Sequence, residues 1–405
     1  MTSKVVATNI PWTKLEDLEK QGYISFLRGS GISKKDFDEK GSFPCIHYGD
    51  LYTAYQKPEI SEVVHRTNFD GKVRSHIGDV LVPATTTADE MGIAIARAIN
   101  KKGVVLGSDI NILRTENKYL LSTYLSYIFN YGIKRELASY AKGTNILHLS
   151  NKDIKKLSIP VPSLPEQKRI VEKLDKIFAD IDKAKENTEK NLEKAKEVFL
   201  NTLEYLFTTN TQHWPQYTLH ELGHVQTGTT PTTSQKDNFG SFIPFIKPSD
   251  FHEDGTLDYN QQGLSQKGLT KSRLIKKGSI LMVCIGATIT KTGFCERDVA
   301  CNQQINTLYP IKDDYKFLYY AMIRPSFKLQ VIKESPKTTL PIINKTKWEK
   351  LTLKVPVLDE QKRIVAQLDT LLAKTKELEK IYTKKLADLD ELKQSVLQQA
   401  FSGKL

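Results

Sequence analysis

Residues 164–175 read Leu-Pro-Glu-Gln-Lys-Arg-Ile-Val-Glu-Lys-Leu-Asp, and residues 358–369 read Leu-Asp-Glu-Gln-Lys-Arg-Ile-Val-Ala-Gln-Leu-Asp. Nine of the twelve positions are identical, at an offset of 194 residues. Each copy follows a Val-Pro pair and then continues for about forty residues without proline or glycine, rich in Leu, Lys, Glu and Ala. This composition is typical of a long helix. A repeat on this scale indicates that the chain is an internal duplication.

The two predicted helices carry the same apolar stripe, with the spacings of three and four that are typical of a coiled coil. We expect the stripe to pack through Ile170, Leu174, Ile177 and Ile181 in the first helix and through Ile364, Leu368, Leu371 and Leu378 in the second. Both copies then take an extra four-residue step, near residues 184–192 and 378–386, which locally unwinds a supercoil. Because the interruption is shared, we expect the helices, each roughly 60 Å long, to pair antiparallel. The alternative is that each stripe packs on the globular part before it.

The parts of the chain that precede the helices are predicted to be α+β globules, because short strand-like runs alternate with turn residues. Similar features recur in the same order: a Gly-containing turn at residues 27–31 and 227–231, then a turn and strand at 78–82 and 278–283. The fold class is therefore α+β, with two globular domains separated by two long antiparallel coiled-coil helices in a pseudo-two-fold internal repeat. The predicted boundaries are 1–163 and 211–357 for the globules and 164–210 and 358–405 for the helices. The globules have diverged more than the helices, which indicates two different recognition surfaces on one frame.

Composition limits the class of protein. The chain has 405 residues, 39% hydrophobic and 26% charged, as in ordinary globular proteins. It has no apolar run of membrane-spanning length and no early segment of signal-peptide type, so we expect it in the cytoplasm. Its four cysteines are irregularly spaced, which favours buried free thiols over a disulfide framework or a zinc site. The net charge of +12 points to a polyanion, most simply nucleic acid, with a generic basic surface or an acidic protein partner as the alternative.

The sequence lacks several of the common catalytic motifs. It has no phosphate-binding Gly-x-x-x-x-Gly-Lys-Ser/Thr loop, no dinucleotide-binding Gly-x-Gly-x-x-Gly after a strand, and no His-Glu-x-x-His. It also has no Asn-Pro-Pro-Tyr or Asp-Pro-Pro-Tyr segment. A nuclease site built from carboxylates and a lysine stays open from spacing alone. An enzyme and a stand-alone architectural DNA-binding protein therefore both remain open at this point.

At this point the sequence resembles a known family, the specificity subunit of Type I restriction–modification systems. The resemblance covers nearly the full length. Its strongest elements are the paired Glu-Gln-Lys segments at 166–168 and 360–362. It also rests on Gly-Ala-Thr-Ile at 286–289 with Asn-Gln-Gln-Ile-Asn at 302–306, and on the terminal residues 400–405. The first globule departs from the pattern with Pro-Ala-Thr at 83–85, and the second helix begins with Asp359 where proline is usual.

The resemblance implies that each globule is a target recognition domain that reads half of a bipartite site in double-stranded DNA. It implies that the helix pair fixes the gap and docks two modification subunits, which are methyltransferases and bring S-adenosylmethionine. Restriction subunits, which are endonucleases and translocases, would add ATP and Mg²⁺. The chain itself would then hold no cofactor or metal and would catalyse nothing.

Contacts to DNA are expected from Arg, Lys, Ser and Thr in turn-rich stretches, since these side chains bind base edges and phosphates. The candidates are Arg28, Ser30, Lys34, Lys35, Thr85, Thr86 and Thr87 in the first globule, and Thr229, Thr230, Lys247, Ser249, Lys271, Arg273 and Lys291 in the second. For each, the alternative is an ordinary solvated loop residue.

Overall fold

The computed structural model describes residues 10–87, 89–209, 211–335, 340–402 and 404–405, so the first nine residues and Gly403 lie outside the described part. Two helices are far longer than the others: the first long helix is Leu164–Thr208 and the second is Leu358–Phe401. The chain divides into two compact units. Unit 1 comprises the residues up to Asn187 together with Lys385–Leu405, and unit 2 comprises Thr188–Lys384. Each unit holds one α+β globule and a part of each long helix.

The globule of unit 1 is built on a five-stranded sheet. Its strands, in spatial order, are Ile24–Arg28, Ile110–Thr115, Asp79–Pro83, Arg97–Ile99 and Glu59–Ile60, and only the last pair is parallel. A three-stranded sheet (His65–Thr67, Phe43–Ile46, Val105–Leu106) and two strand pairs (Trp12–Lys14 with Ser158–Pro160, Thr85–Thr86 with Leu147–His148) complete the strands. The helices are Leu15–Lys20, Asp50–Thr53, Glu90–Ile93, Ser122–Tyr127, Lys134–Ser139 and Asn151–Ile154, with a 3₁₀ turn at Lys34–Asp36 and a π turn at Ile128–Gly132.

The globule of unit 2 repeats this plan around a four-stranded antiparallel sheet. Its strands, in spatial order, are Gly223–Thr227, Ile305–Pro310, Ile280–Val283 and Thr292–Phe294. Three strand pairs accompany it: Gln216–Thr218 with Thr352–Lys354, Phe239–Gly240 with Gly263–Leu264, and Phe245–Ile246 parallel to Ala300–Cys301. The helices are Leu219–Leu222, Gln266–Leu269, Tyr315–Ile323, Pro325–Glu334 and Lys345–Trp348, with 3₁₀ turns at Lys236–Asn238 and Pro248–Asp250.

Both sheets are buried on both faces, which explains why their central strands are apolar without alternation. In strand Asp79–Pro83 every residue is buried. Val80 and Val82 face the core that includes the helices, whereas Leu81 belongs to a separate core on the other side of the sheet. The strand Ile280–Val283 divides its side chains between two cores in the same way.

The long helices pack both on the globules and on each other. In unit 1, Ile170 and Leu174 share a core with the globule and also with Val396, Leu397 and Ala400 of the second helix. In unit 2, Phe199, Leu203 and Phe207 of the first helix share a core with Ile364 and Leu368 of the second. The direction is antiparallel, because within unit 1 Arg169 hydrogen-bonds the carbonyl of Leu405 while Asp182 lies 3.5 Å from Lys393. Both arrangements considered from the sequence therefore occur together.

The buried stripe occupies matching positions in the two helices. Its extra four-residue step, however, lies nearer the start of each helix than the apolar spacing predicts. Ile170, Leu174, Ile181, Ile364 and Leu368 are buried, and Ile177 and Leu371 are half-buried. Leu378 leaves 41% of its side chain exposed. The step lies at 170–174–178 in the first helix and at 364–368–372 in the second, so Phe178 is buried. Further along the second helix, half-buried Glu379 therefore takes the inward position beside Leu378.

The glutamine of the repeated motif is a buried clamp between helix and globule. Gln167 accepts a hydrogen bond from the Leu121 amide (2.9 Å) and donates to the carbonyls of Tyr119 (3.0 Å) and Pro162 (2.9 Å). Its counterpart is also buried: Gln361 accepts from the Asp314 amide (2.9 Å) and donates to Asp313 and to the Pro356 carbonyl (both 2.8 Å). These bonds satisfy backbone groups at the start of the globule's helix and at the proline turn. They give a structural reason for the identity of this residue in both copies.

Candidate nucleic-acid interface

In each globule, loops that connect the central strands meet at one edge of the main sheet. In unit 2 these loops are 228–230, 284–291 and 302–304, which follow or precede the four strands at the same end. Backbone hydrogen bonds connect them: Gly228 N–H to Ile305 O (2.9 Å), and Cys284 N–H to Gln304 O (2.8 Å). We call this surface the loop edge of unit 2.

Unit 1 has a matching loop edge, formed by loops 29–31, 84–87 and 107–109. The backbone bonds correspond one to one: Gly29 N–H to Ile110 O (3.0 Å), and Ala84 N–H to Asp109 O (2.8 Å). Glycine is required where the loops approach most closely. A Cβ on Gly29 would lie 2.0 Å from the Gly107 carbonyl oxygen, and one on Gly228 would lie 2.2 Å from that of Asn302. The Gly-containing turns found in the sequence therefore mark the same point in both globules.

The predicted residues of unit 1 lie at or beside its loop edge, but they differ in accessibility. Arg28 ends the edge strand, and its guanidinium donates to the Ser108 carbonyl (2.7 Å), Asn111 (3.1 Å) and Asp109 (3.1 Å). This cation is therefore partly neutralised within the domain. The other six divide as follows: Lys34, Lys35 and Thr87 are exposed, Ser30 and Thr85 are half-buried, and Thr86 is buried.

The predicted residues of unit 2 are partly gathered in a shallow cleft of about 500 Å³ beside its loop edge. Thr230 and Lys247 line it, with Lys236, Gln262 and the ring of Phe239. Half-buried Thr229 and exposed Ser249 are close in sequence to these residues and belong to the adjoining loop and 3₁₀ turn.

Three further predicted cations of unit 2 lie outside that cleft. Lys271 donates to the side-chain oxygen of Gln235 (2.7 Å), so no carboxylate neutralises it through this bond. Arg273 donates to the carbonyl of Thr227, at the end of the edge strand. Lys291 lies elsewhere: it lines a separate cavity of about 370 Å³ between the globule and the long helices, with Lys328 and Leu372 among the other lining residues.

The contacts predicted from the sequence do not include the amide side chains of loop 302–304, which the fold places in the loop edge of unit 2. Gln303 is exposed, and its side-chain oxygen accepts a hydrogen bond from Thr230. Asn302 donates to Gln304 (2.9 Å) beside it. Asparagine and glutamine are the side chains best suited to adenine in the major groove. The Asn-Gln-Gln run was visible in the sequence, but only its place beside Thr230 identifies it as a candidate.

The four cysteines are free and buried, as predicted. Burial raises the pKa of Cys45 and Cys295 to about 11 and that of Cys284 to about 12, which makes these thiols poor nucleophiles at neutral pH. Across the part of the chain that the structure describes, no group of three or more His, Cys, Asp or Glu side chains is placed to hold a metal ion. Likewise, none of the described helices is both long and apolar enough to span a membrane.

Comparison with known proteins agrees with this duplicated architecture. The family profile of the Type I restriction modification DNA specificity domain matches the chain twice, at residues 14–194 and 211–387. The chain belongs to this family of specificity subunits. Each match joins one globule to the part of the long helix that follows it, which is the duplicated unit seen in the sequence.

Individual relatives of this specificity subunit are distant. It is 25% identical to the Escherichia coli EcoBI specificity subunit over 294 residues, which cover 64% of this chain and 61% of that protein. It is 24% identical to the E. coli EcoDI specificity subunit over 321 residues, 71% of each. It is also 24% identical to the Methanocaldococcus jannaschii MjaVIII specificity subunit, over 76% of this chain and 75% of the relative.

Solved structures show the same fold. A chain from a structure concerned with complex assembly and conformational transition of the type I R-M system superposes with a TM-score of 0.73 at 18% identity, covering 95% of this chain and 98% of that one. The HsdS subunit from Thermoanaerobacter tengcongensis superposes with a TM-score of 0.62 at 17% identity over the full length of both.

Proposed function

We propose that this specificity subunit reads a bipartite site in double-stranded DNA, with each globule contacting one half through its loop edge. The observation that carries the proposal is that both globules build this edge from matching backbone bonds while the side chain beside a shared asparagine differs: Arg28 hydrogen-bonds Asn111 in one, and Thr227 hydrogen-bonds Asn306 in the other. A shared frame with different side chains is what two different half-sites require. The recognition domains are then residues 1–163 and 211–357, and the spacer helices are 164–210 and 358–405.

Within the loop edge of unit 2, base reading is assigned to the pair Thr230 and Gln303. Because the oxygen of Gln303 is already engaged by Thr230, its amide nitrogen is left to donate to an acceptor on a base edge. Phosphate binding is assigned to the exposed or half-buried cations Lys247, Lys271 and Arg273, whose contacts do not depend on sequence. Lys291 is too far into its own cavity to be assigned a base.

In unit 1 the cations Lys34 and Lys35 are assigned to phosphate, and Thr85, Thr87 and Ser30 to the groove. Arg28 is assigned mainly to fixing the loop, because it already binds Asp109 and Asn111. Buried Thr86 is assigned to the loop as well.

The partners follow from the family. Two modification subunits are expected to dock on the helix pair, and S-adenosylmethionine and the methyl transfer belong to them. The target adenine leaves the base stack to reach their active site. Restriction subunits supply ATP and Mg²⁺ chemistry. On this proposal the chain acts in the cytoplasm, binds no cofactor of its own and positions the reaction without catalysing it.

The test is co-expression with candidate modification subunits, followed by mapping of methylated adenines in the host genome. The expected result is a stable complex and methylation at one two-part motif with a fixed gap. Exchanging residues 1–163 for another recognition domain should change only one half of the motif. The absence of a complex and of sequence-specific methylation would contradict the proposal, as would Mg²⁺-dependent cleavage of DNA by the purified chain alone.

A single substitution tests the assigned reader. Gln303→Ala should relax one base position in the half-site read by unit 2, by about 1–3 kcal/mol of discrimination. Gln21→Ala, at an exposed position away from the loop edges, is the matched control and should leave the motif unchanged. An unchanged motif in Gln303→Ala would remove Gln303 from the reading surface.

A further inference from the structure

Each globule is bound to its long helix by the same hydroxyl–carboxylate hydrogen bond. The Tyr127 hydroxyl donates to Asp175 (2.5 Å), and the Tyr320 hydroxyl donates to Asp369 (2.6 Å). The aspartates are the last residues of the repeated motif, and the tyrosines occupy matching positions in the first helix after the central strand. The globules have otherwise diverged, so the retention of this bond in both calls for a common role.

The two tyrosines remain donors throughout the neutral range. Burial raises the pKa of Tyr127 and Tyr320, and the hydrogen bond to the carboxylate raises each further. In unit 1 the ring of Tyr127 also packs on Phe178 of the first helix, with centroids 5.8 Å apart. The bond therefore fixes a side chain that already lies in the helix–globule contact.

We call the contact around Tyr127–Asp175 the joint of unit 1 and that around Tyr320–Asp369 the joint of unit 2. The two joints differ in what else binds the aspartate. Asp369 also accepts a hydrogen bond and ion pair from Lys316 (2.7 Å). The matching position in unit 1 is Thr123, which has no charge to offer Asp175.

A second ion pair joins the second helix to the globule of unit 2. Lys376 of the second helix binds Asp254 of the globule at 2.6 Å. The matching residue of the first helix is Asp182, which pairs with Lys393 of the other helix and not with its globule. The joint of unit 2 thus has two charged contacts in addition to the tyrosine bond.

We propose that Asp175 and Asp369, with their tyrosine partners, are positioning residues that hold each recognition domain at a fixed angle to its helix, and that the joint of unit 1 is the weaker of the two. The inference deepens the proposed function and rests on it, because the angle affects DNA only if each domain reads a half-site. Its first consequence, the stiffness of each joint, is a property of the chain alone and can be measured without DNA.

The first experiment measures the distance distribution across a joint by pulsed electron paramagnetic resonance on the full chain. Spin labels at Lys72→Cys and Lys183→Cys report the joint of unit 1, since both positions are exposed and the native thiols are buried. Tyr127→Phe should broaden this distribution, and Tyr131→Phe, one turn further along the same contact, should not. An unchanged width in Tyr127→Phe would overturn the proposal.

Rescue separates positioning from general destabilisation. Adding Thr123→Lys to Tyr127→Phe gives Asp175 the lysine partner that its counterpart has, and the narrow distribution should return. In unit 2, with labels at Asn260→Cys and Lys374→Cys, Tyr320→Phe alone should have little effect. Broadening should require Lys316→Thr as well. Equal broadening by the two single tyrosine variants would refute the inequality of the joints.

The second experiment uses the complex with modification subunits and DNA sites whose gap differs by one base pair from the preferred length. Losing one hydrogen bond to a charged group costs enough free energy to change an equilibrium constant roughly tenfold. Tyr127→Phe should therefore raise the relative methylation of the wrong gaps by about that factor while the half-site sequences stay the same. If the unaltered chain directs no methylation, the proposed function fails, and the label distances still decide the joints. If the distances broaden but gap selectivity does not change, the positioning role is refuted.

Discussion

Replacing Gln167 with leucine should destabilise unit 1 more than any neighbouring change on the same helix. The side chain is fully buried and forms three hydrogen bonds, one accepted from Leu121 and two donated to the carbonyls of Tyr119 and Pro162. Leucine has similar size but leaves all three backbone groups without this partner. A buried group that loses its partner costs about 1–3 kcal/mol, and the three groups are only partly shielded from water. We expect a total loss of about 2–4 kcal/mol in the free energy of unfolding.

Urea unfolding followed by hydrogen exchange measures this loss unit by unit. Amides in the core strands of unit 1, which do not bond to Gln167, should lose protection by the full amount, while amides of unit 2 should keep theirs. Lys168→Leu, on the next and exposed residue, is the control and should stay within about 0.5 kcal/mol. A loss below about 0.5 kcal/mol for Gln167→Leu would show that water can replace the three hydrogen bonds of Gln167. The structural role assigned to the repeated glutamine would then be refuted.

Three further outcomes are expected. Gly228→Ala should cost about 2–3 kcal/mol in unfolding experiments, because the new Cβ would meet the Asn302 carbonyl at 2.2 Å; a neutral result would show that the loops can separate. Burial raises the pKa of Asp254, but hydrogen bonds from Lys376 and a threonine outweigh it and lower this pKa from 3.8 to about 2. The Asp254–Lys376 ion pair therefore stabilises the fold above about pH 4, and this stabilisation is lost as the pH falls towards 2. Lys376→Met should therefore remove about 1 kcal/mol at neutral pH and shift acid unfolding to higher pH, and identical acid curves would contradict this. Lys271→Gln should lower the salt dependence of DNA binding by about 0.9 in logarithmic slope without changing the bases preferred, whereas an altered motif would make this lysine a base reader.

The repeated segment allowed most of the architecture to be predicted from the sequence. Identical residues at a fixed offset required two similar helices, and apolar spacing indicated their packed face to within one position. The error at Leu378 has a simple cause, since Leu378 and the neighbouring inward position 379 lie only one residue apart, and 379 is Glu. Hydrophobicity favours the leucine, although the glutamate lies where its helix faces its neighbours.

Residue type predicts candidate contacts to DNA, but it does not indicate which of these side chains already bind another part of the protein. Arg28 is neutralised by Asp109, which is eighty-one positions away in the chain and reaches it only because the strands are antiparallel neighbours. Lys291 has the right chemistry for DNA, yet the turn before strand Thr292–Phe294 directs it to the helices. Such pairings depend on tertiary contacts between distant segments, which spacing within one sequence does not reveal.

The ion pairs between the two long helices have a consequence for assembly. Asp182 pairs with Lys393, and Lys185 pairs with Asp390. The helices share an apolar stripe, so hydrophobicity alone would also allow each helix to pair with its own copy from a second chain. Charge distinguishes these possibilities, because it differs at matching positions of the two copies.

The offset of 194 residues between the two copies identifies the residues that would meet if a helix paired with the same helix of a second chain. Two copies of the second helix would place Lys376 opposite Lys393 and Glu379 opposite Asp390, and two copies of the first would place Lys185 opposite Lys196. Each of these is a like-charge contact, which disfavours the pairing. The duplication has therefore produced two helices whose charges favour pairing with each other over pairing with a second copy of themselves.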